Sequence, residues 1–209
     1  MSNRIRFTEY RHLPDWERVL LSDVLKEHKL KSNGESEVHS VSVHKGLINQ
    51  IEHLGRSYAA DDTSNYNLVR PFDIVYTKSP TGDYPFGVVK QSLIDNNAIV
   101  SPLYGVFEPI NKYVGFIIDA YFSSPYRAYR YLEPLVKKGA KNTLQISNSR
   151  FLSKGIYLPK EEGEQKAVAE WLSLQNRLIQ AQQSRVALLD QHKSALLQLL
   201  FTEAHELES

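Results

Sequence analysis

Short apolar runs separated by turn residues characterise the first 159 residues of the chain. The runs are rich in β-branched and aromatic residues, and Gly, Pro, Asn or Asp lies near their ends. Runs of this kind are typical of β-strands. The pattern predicts strands at Val38–Val43, Asp73–Thr77, Phe86–Val89, Ala98–Phe107, Leu144–Ile146 and Gly155–Leu158.

Two helices are predicted among these strands. Apolar residues recur at helical spacing within Lys112–Phe122. A second helix is predicted to begin at Ser124, an N-cap residue followed by Pro125 at the first helical position, and to end at Gly139. We therefore predict an α+β fold class, with a mixed α/β body over residues 1–159.

Residues 161–201 have a different character. Neither Gly nor Pro occurs after Gly163, and the strong helix formers Ala, Leu, Gln, Lys, Arg and Glu dominate. The segment predicts one long C-terminal helix. A helix of ~38 residues is ~57 Å long at 1.5 Å per residue. We predict that residues 160–209 form a unit separate from the body.

Alternate steps of four and three residues along this helix follow a heptad pattern. Polar residues interrupt it at Gln175, Gln182 and Lys193, and such breaks usually fix the register or the number of partner helices. The body is too small to cover the whole apolar stripe, and the chain has no second long helix. We expect a second copy to cover it, through the dimerisation residues Val168, Leu172, Ile179, Val186, Leu189, Leu196 and Leu200.

Charge and composition narrow the function class. Residues 1–159 carry 20 Lys and Arg against 16 Asp and Glu, a net charge of +4, whereas residues 160–209 carry 5 against 8, a net of −3. A basic body fits contact with nucleic acid, and an acidic helix fits contact with protein. There is no cysteine, no apolar stretch of ~18 residues and no secretory signal. We expect a cytoplasmic protein without membrane contact.

The sequence shows no motif for catalysis. The seven histidines have no metal-ligand spacing, and no glycine-rich loop for a cofactor follows a predicted strand. An offset of five places Asp73 and Lys78 on opposite faces of a strand, which does not fit a nuclease site, and Glu164 and Lys166 match such a site only by chance. We expect no enzyme activity, no metal and no cofactor.

A basic stretch at residues 124–154 is the strongest chemical signal. It contains seven Lys and Arg against the single acid Glu133. On a helix from Pro125 to Lys138, the cations Arg127, Arg130, Lys137 and Lys138 would share one side and face phosphate. The apolar side would comprise Tyr126, Tyr129, Leu132 and Val136. The alternative is a solvated basic face on any globular protein.

Six segments in a fixed order carry a resemblance to a known family. They are Trp16–Val24, Asp73–Pro80, Tyr84–Gly87, the S-P-L-Y element Ser101–Tyr104, the helix start Leu158–Ala169 with its L-P and E-Q steps, and the helix end Gln191–Phe201. Together they resemble the specificity (S) subunit of Type I restriction–modification systems. Gly163, just ahead of the E-Q step, departs from the usual pattern and weakens the first helical turn.

The resemblance implies a fold and a function. An S subunit carries two target recognition domains and two spacer helices, and this chain has one of each, as a half-length form would. Three origins fit this: a natural half-length protein, a truncated gene product and an expressed fragment. The resemblance implies sequence-specific binding of double-stranded DNA and docking to modification (methyltransferase) and restriction (nuclease/translocase) subunits, which carry the catalysis.

Base-reading residues vary within the family, so the candidates rest on side-chain chemistry. Arg and Lys suit guanine or phosphate, whereas Asn and Gln suit adenine. The DNA-binding candidates are Lys78, Ser79, Tyr84 and Lys90 around the central hairpin, and Arg127, Lys141, Asn142, Gln145 and Arg150 in the basic stretch. Two alternatives stay open: a coiled-coil interaction protein without a DNA role, and a regulatory half-subunit that competes with a full-length partner.

Overall fold

The first part of the chain forms short strands that pair antiparallel, and apolar residues of several of these strands are buried. The computed structural model describes residues 6–32, 34–50, 62–138 and 144–201. Two compact units divide the chain, residues 1–169 and 170–209. The described strands are β1 Glu17–Leu20, β2 Leu25–Glu27, β3 His39–Ser42, β4 Gly46–Asn49, β5 Asn67–Val69, β6 Ile74–Tyr76, β7 Val89–Gln91, β8 Ala98–Val100, β9 Gly105–Pro109, β10 Lys137–Lys138, β11 Leu144–Gln145 and β12 Gly155–Leu158.

The strands form one four-stranded sheet and several two-stranded ones. The larger sheet has the order β2-β9-β6-β7, and all of its neighbours are antiparallel. Antiparallel pairs also join β1 to β12, β3 to β4, β5 to β8 and β10 to β11. The pairing of β1 with β12 brings residues 17–20 against residues 155–158, so both ends of the body meet in one sheet.

The described helices are α1 Leu21–Val24, α2 Lys112–Phe122, α3 Pro125–Leu132, α4 Asn148–Leu152 and α5 Glu162–Phe201, with 3-10 turns at Thr8–Tyr10 and Glu133–Leu135. The bounds of α2 match the prediction, and the side chain of Asn111 caps its first turn by accepting from two backbone amides. The α+β fold class with a long C-terminal helix is confirmed. Among the described helices, none is long and apolar enough to cross a membrane.

The second predicted helix is shorter than expected. It ends at Leu132, a 3-10 turn follows, and Lys137–Lys138 is a strand, while Gly139 lies outside the described residues. Pro134 explains the difference, because it lacks the N–H that would bond to the carbonyl of Arg130 and its ring clashes with that carbonyl. Lys154 Nζ donates to the Arg130 carbonyl instead, at 3.0 Å. The predicted alignment of Lys137 and Lys138 with the helical arginines is wrong.

Two predicted strands also differ from the structure. The strand predicted at Phe86–Val89 begins only at Val89, because Gly87 with its φ of +98° lies in a turn. The run Ala98–Phe107 is two strands rather than one. A turn in which Tyr104 N donates to Ser101 O at 3.0 Å separates them.

Aromatic rings fill the core between the larger sheet and the helices α2 to α4. The ring of Phe151 stacks on Tyr76 at 4.7 Å between centroids and lies 5.3 Å from Phe107. Phe122 meets Tyr131 edge-on at 5.0 Å. The hydroxyl of Tyr131 lies 2.7 Å from the carbonyl oxygens of Phe151 and Lys154. This packing fixes α3 and α4 on the body and exposes the outer side of α3.

Candidate nucleic-acid interface

Helix α3 presents tyrosine and arginine side chains to solvent. Its buried side comprises Ala128, Tyr131 and Leu132, spaced i, i+3, i+4. The prediction that Tyr126 packs on the body is wrong, since Tyr126 is 72% exposed. Tyr129 is 40% exposed, but its ring packs on Phe86 of the body at 5.5 Å between centroids. We call the exposed residues Tyr126, Arg127, Tyr129 and Arg130 the tyrosine–arginine face.

The two arginines of this face are available to an external acceptor. The guanidinium of Arg127 lies over the ring of Tyr121 at 5.9 Å. Within the described residues, neither Arg127 nor Arg130 donates a side-chain hydrogen bond to the protein. The hydroxyl of Tyr129 donates to Glu133 Oε1 at 2.8 Å. Cations beside exposed rings suit phosphates and base faces.

The loop at residues 77–88, between β6 and β7, holds Lys78 in an uncommon conformation. Lys78 has a φ of +61°, in the left-handed region. A Cβ on Gly87 would lie 2.6 Å from the backbone N of Lys78, so glycine permits this approach. Thr77 and Val88 close the base of the loop, because Thr77 N donates to Val88 O and Val88 N to Thr77 Oγ1, both at 3.0 Å.

The tip of the same loop is anchored to helix α2. Thr81 and Tyr84 exchange backbone hydrogen bonds of 3.1 and 2.9 Å. The hydroxyl of Tyr84 donates to Ser123 O at 2.7 Å, and the ring is 6% exposed. Burial raises the pKa of Tyr84, and the charges of Asp83 and Asp119 raise it further. The predicted DNA-binding residue Tyr84 therefore supports the loop from inside, whereas Ser79 is exposed on it.

A cavity of about 290 Å³ lies beside this loop. Burial lowers the pKa of Lys78, and the negative charge of Glu27 partly offsets that effect. No described residue accepts a hydrogen bond from the Lys78 ammonium. Three separate segments supply the wall of what we call the Lys78 cavity: Tyr76, Lys78, Pro80, Pro85, Phe86, Val136 and Ile146.

The other candidates near the loop and the basic stretch have internal partners or lie outside the described residues. Lys90 Nζ donates to Asp119 Oδ1 at 3.0 Å and to Ser123 Oγ at 2.8 Å. Arg150 Nη1 donates to Leu135 O at 2.7 Å. Gln145 is in β11, and its side chain is not described; the predictions at Lys141 and Asn142 also lie outside the described residues.

The carboxylate of Asp73, which resembled half of a nuclease pair in the sequence, supports the fold. Asp73 is 2% exposed, and its Oδ2 lies 2.8 Å from His28 Nε2 and accepts from Arg70 N at 2.7 Å. Arg70 also pairs with Glu108 at 3.1 Å. In the described part of the chain, no group of three His, Asp or Glu side chains is placed to hold a metal ion.

The E-Q step at the start of α5 binds the helix to the N-terminal segment. Glu164 is 1% exposed and accepts from Arg6 Nε at 2.6 Å and Trp16 Nε1 at 2.9 Å. Gln165 donates to Pro159 O and accepts from Asn111 Nδ2, both at 2.9 Å. Burial raises the pKa of Glu164, but the hydrogen bonds from Arg6 and Trp16 and the charge of Arg6 outweigh it, so the pKa is lowered overall.

The predicted dimerisation residues differ in exposure. Val168 packs against the core of the body, and Leu172 is half-buried. The strict heptad does not include Leu178 and Leu197. At 3.6 residues per turn both residues lie beside the stripe, and both are exposed. The remaining predicted positions are 47–73% exposed: Ile179, Val186, Leu189, Leu196 and Leu200.

Comparison with solved structures relates this fold to Type I S subunits. The fold is similar to "Type-I restriction-modification system S subunit from M. genitalium", with a TM-score of 0.58 and 13% identity, over 98% of this chain and 50% of that one. The HsdS subunit from Thermoanaerobacter tengcongensis matches with a TM-score of 0.44 and 14% identity, over 97% and 47%.

The chain thus spans about half the length of both neighbours. No family model and no curated protein sequence matches it. At these identities the likeness concerns the fold, and at that level the predicted resemblance to S subunits is confirmed.

Proposed function

We propose that the chain is a sequence-specific DNA-recognition subunit of a Type I restriction–modification complex. One observation carries the proposal: the similarity to an S subunit extends over 98% of this chain, and so includes both the mixed body and the long helix. In this proposal residues 1–159 are a target recognition domain, and residues 160–209 are a spacer and dimerisation helix.

The tyrosine–arginine face and the loop at residues 77–88 are the proposed DNA contacts. Arg127 and Arg130 are exposed and face no protein acceptor among the described residues, so they suit phosphate. Lys78 and Ser79 lie on the loop, where base contacts are proposed. Lys90, Tyr84 and Arg150 hold the surrounding elements through the hydrogen bonds described above, so their proposed contribution is to position that surface.

The long helix is the proposed dimer interface. Its exposed aliphatic residues would gain ~1.5–3 kcal/mol each on full burial. Two copies that pair antiparallel have two-fold symmetry, and a two-fold protein reads an inverted repeat. Each chain would then read one half-site of a target whose halves are identical and separated by an unread spacer.

The partners of this assembly would supply the chemistry. Modification subunits carry the S-adenosylmethionine-dependent methyltransferase, and restriction subunits carry the nuclease and translocase. The chain itself would then work in the cytoplasm as a non-enzymatic subunit without a cofactor. The purified chain should neither methylate nor cut DNA, and methyl transfer should begin only when the cognate modification subunit is added.

Methylome sequencing tests the function in the cell. Cells that carry the locus, with and without this gene, are compared. Loss of adenine methylation at one sequence motif on deletion supports the proposal. A new or broader motif on deletion would indicate a regulator that competes with a full-length subunit. An unchanged methylome, together with a purified chain that binds no DNA, would favour the coiled-coil interaction protein.

A further inference from the structure

Lys78 differs from the other partly buried lysines of the body. Lys90 donates to Asp119 and Ser123, and Lys154 donates to the carbonyls of Arg130 and Tyr131. No described residue accepts from Lys78, although burial is the largest influence on its pKa and lowers it. Lys78 is only partly buried and lines a cavity, and its ammonium donates to no described residue, so it can donate to an acceptor supplied from outside the chain.

The surroundings of Lys78 are mostly apolar. Its left-handed backbone lies close to Gly87, and strained backbone of this kind clusters at functional sites. The remaining wall of the Lys78 cavity offers rings and aliphatic groups, and its one hydroxyl, on Tyr76, already donates to Phe86 O at 2.7 Å. Among the described residues, the cavity therefore offers flat apolar contact and one cation, Lys78.

We propose that the Lys78 cavity binds one guanine of the DNA target, with the Lys78 ammonium donating to O6 and N7 of the base. This inference rests on the proposed DNA-recognition function and names a base for one position of the target. Drug-sized ligands occupy cavities of ~300–1,000 Å³, and the volume of about 290 Å³ lies just below that range, in keeping with a single base.

The chemistry of the cavity favours guanine over other DNA groups. Guanine presents two adjacent acceptors, whereas adenine presents an acceptor beside an N6 donor and cytosine presents the N4 donor. Thymine offers one acceptor, O4. A phosphate is strongly hydrated and would lose that hydration against Phe86, Pro80 and Val136, in return for Lys78 as the one cation among the described lining residues.

Base discrimination by the full chain tests the inference. Sequencing of the DNA that the wild-type chain selects from a random pool defines the target. Dissociation constants are then measured for the target and for each single G·C replacement. Lys78→Met removes the ammonium and keeps a long unbranched side chain. At one G·C pair, discrimination should fall from about 5- to 150-fold to about twofold or less, and the other positions should keep theirs.

Lys137→Met is the matched control. Lys137 is exposed on β10, next to the cavity residue Val136, and the substitution removes the same charge. It should weaken binding to all sequences equally. If Lys78→Met behaves in the same way, or leaves every discrimination unchanged, the inference is wrong while the proposed function stands. If the wild-type chain selects no sequence, both fall.

Val136→Phe provides a second variant that keeps the charge of Lys78. The larger side chain fills part of the cavity, so discrimination should fall at the same G·C pair as in Lys78→Met. If Lys78→Met fails to fold, Val136→Phe should still lose discrimination at one G·C pair, and discrimination retained at every pair would contradict the inference. Replacing the guanine by 7-deazaguanine, which lacks the N7 acceptor, should weaken wild-type binding and leave Lys78→Met unaffected.

Discussion

Individual cations of the body have two different roles, which charge counting along the sequence does not separate. Arg150 and Lys154 donate to backbone carbonyls, and Lys90 pairs with Asp119. Arg127 and Arg130 instead extend from the exposed side of α3. A residue's contribution to DNA binding should therefore follow from its partners in the fold and not from its place in a basic run.

Charge reversal at Arg127 tests this distinction. Arg127→Glu should weaken binding to all DNA sequences and lower the slope of log affinity against log salt by about one unit, because one phosphate contact is lost. Mobility-shift titrations over a range of salt concentrations measure both. Arg177→Glu makes the same change on the long helix and should leave the slope unaltered. If the two variants behave alike, α3 does not contact the DNA.

The ion pair of Arg6 with Glu164 is the most buried one described, with side chains 8% and 1% exposed. Glu164→Gln should lower the stability at pH 7, because the Arg6 guanidinium then loses the negative charge that pairs with it. Urea unfolding measures the loss. The exposed neighbour offers a matched control, Glu162→Gln, which should change stability by at most about 0.5 kcal/mol.

The pH dependence of this loss follows from the lowered pKa of Glu164. A carboxyl group whose pKa is lower in the folded state stabilises the protein above its unfolded pKa, near 4.5 for glutamate. That contribution disappears as the pH falls through the lower folded value. The difference between wild type and Glu164→Gln should therefore stay constant from pH 7 down to about pH 5 and shrink as the pH falls below 4.5. A difference that stays constant below pH 4.5 as well would mean that the charge of Glu164 contributes nothing.

At the scale of elements, the glycines of the loop at residues 77–88 allow a paired test. Gly82 has a φ of +50° with open space around its Cβ position, and Gly87 has a φ of +98° with the Lys78 backbone 2.6 Å away. Gly82→Ala should cost about 1–2 kcal/mol for its backbone conformation alone. Gly87→Ala should cost the same conformational penalty plus about 1–3 kcal/mol for the clash with the Lys78 backbone. Thermal unfolding measures both, and equal losses would show that the loop adjusts freely.

The elements differ in how far sequence predicts them. Helix α2 is predicted to the residue because its apolar spacing is a local signal. Helix α3 is predicted too long because the pattern of cations continues beyond Pro134, which ends the helix. The strands β1 and β2 are not predicted, because each is defined by pairing with a strand far along the chain, β12 and β9.

The candidate site shows the same limit. Side-chain chemistry identifies Lys78 and Arg127 as candidates. The structure adds that Arg127 is exposed and that Lys78 donates to no described residue. Phe86, Val136 and Ile146 gave no signal, because a cavity wall built by three segments exists only after folding. The E-Q step was noticed as a family feature. Its physical reason, a buried carboxylate that accepts from Arg6 and Trp16, required the structure.

At the scale of the whole molecule, the exposed stripe of the long helix predicts a dimer. Leu189→Glu combined with Leu196→Glu should convert the dimer to a monomer, because two charges would be buried between apolar residues. Leu188→Glu with Gln191→Glu is the control that adds the same two charges, since both positions are exposed and lie about 100° or more around the helix from the neighbouring stripe residues. Sedimentation of the wild type and both variants decides the question. A wild-type chain that stays monomeric at micromolar concentration would contradict the proposed interface.

The sequence of the DNA bound by the purified chain tests the central claim most directly. The full wild-type chain is incubated with a pool of random duplexes, and the retained DNA is sequenced. A two-fold dimer of this chain should select two identical short half-sites in opposite orientation, separated by a spacer of fixed length and variable sequence. Retention without any enriched motif, or an enriched motif without this inverted symmetry, would contradict it.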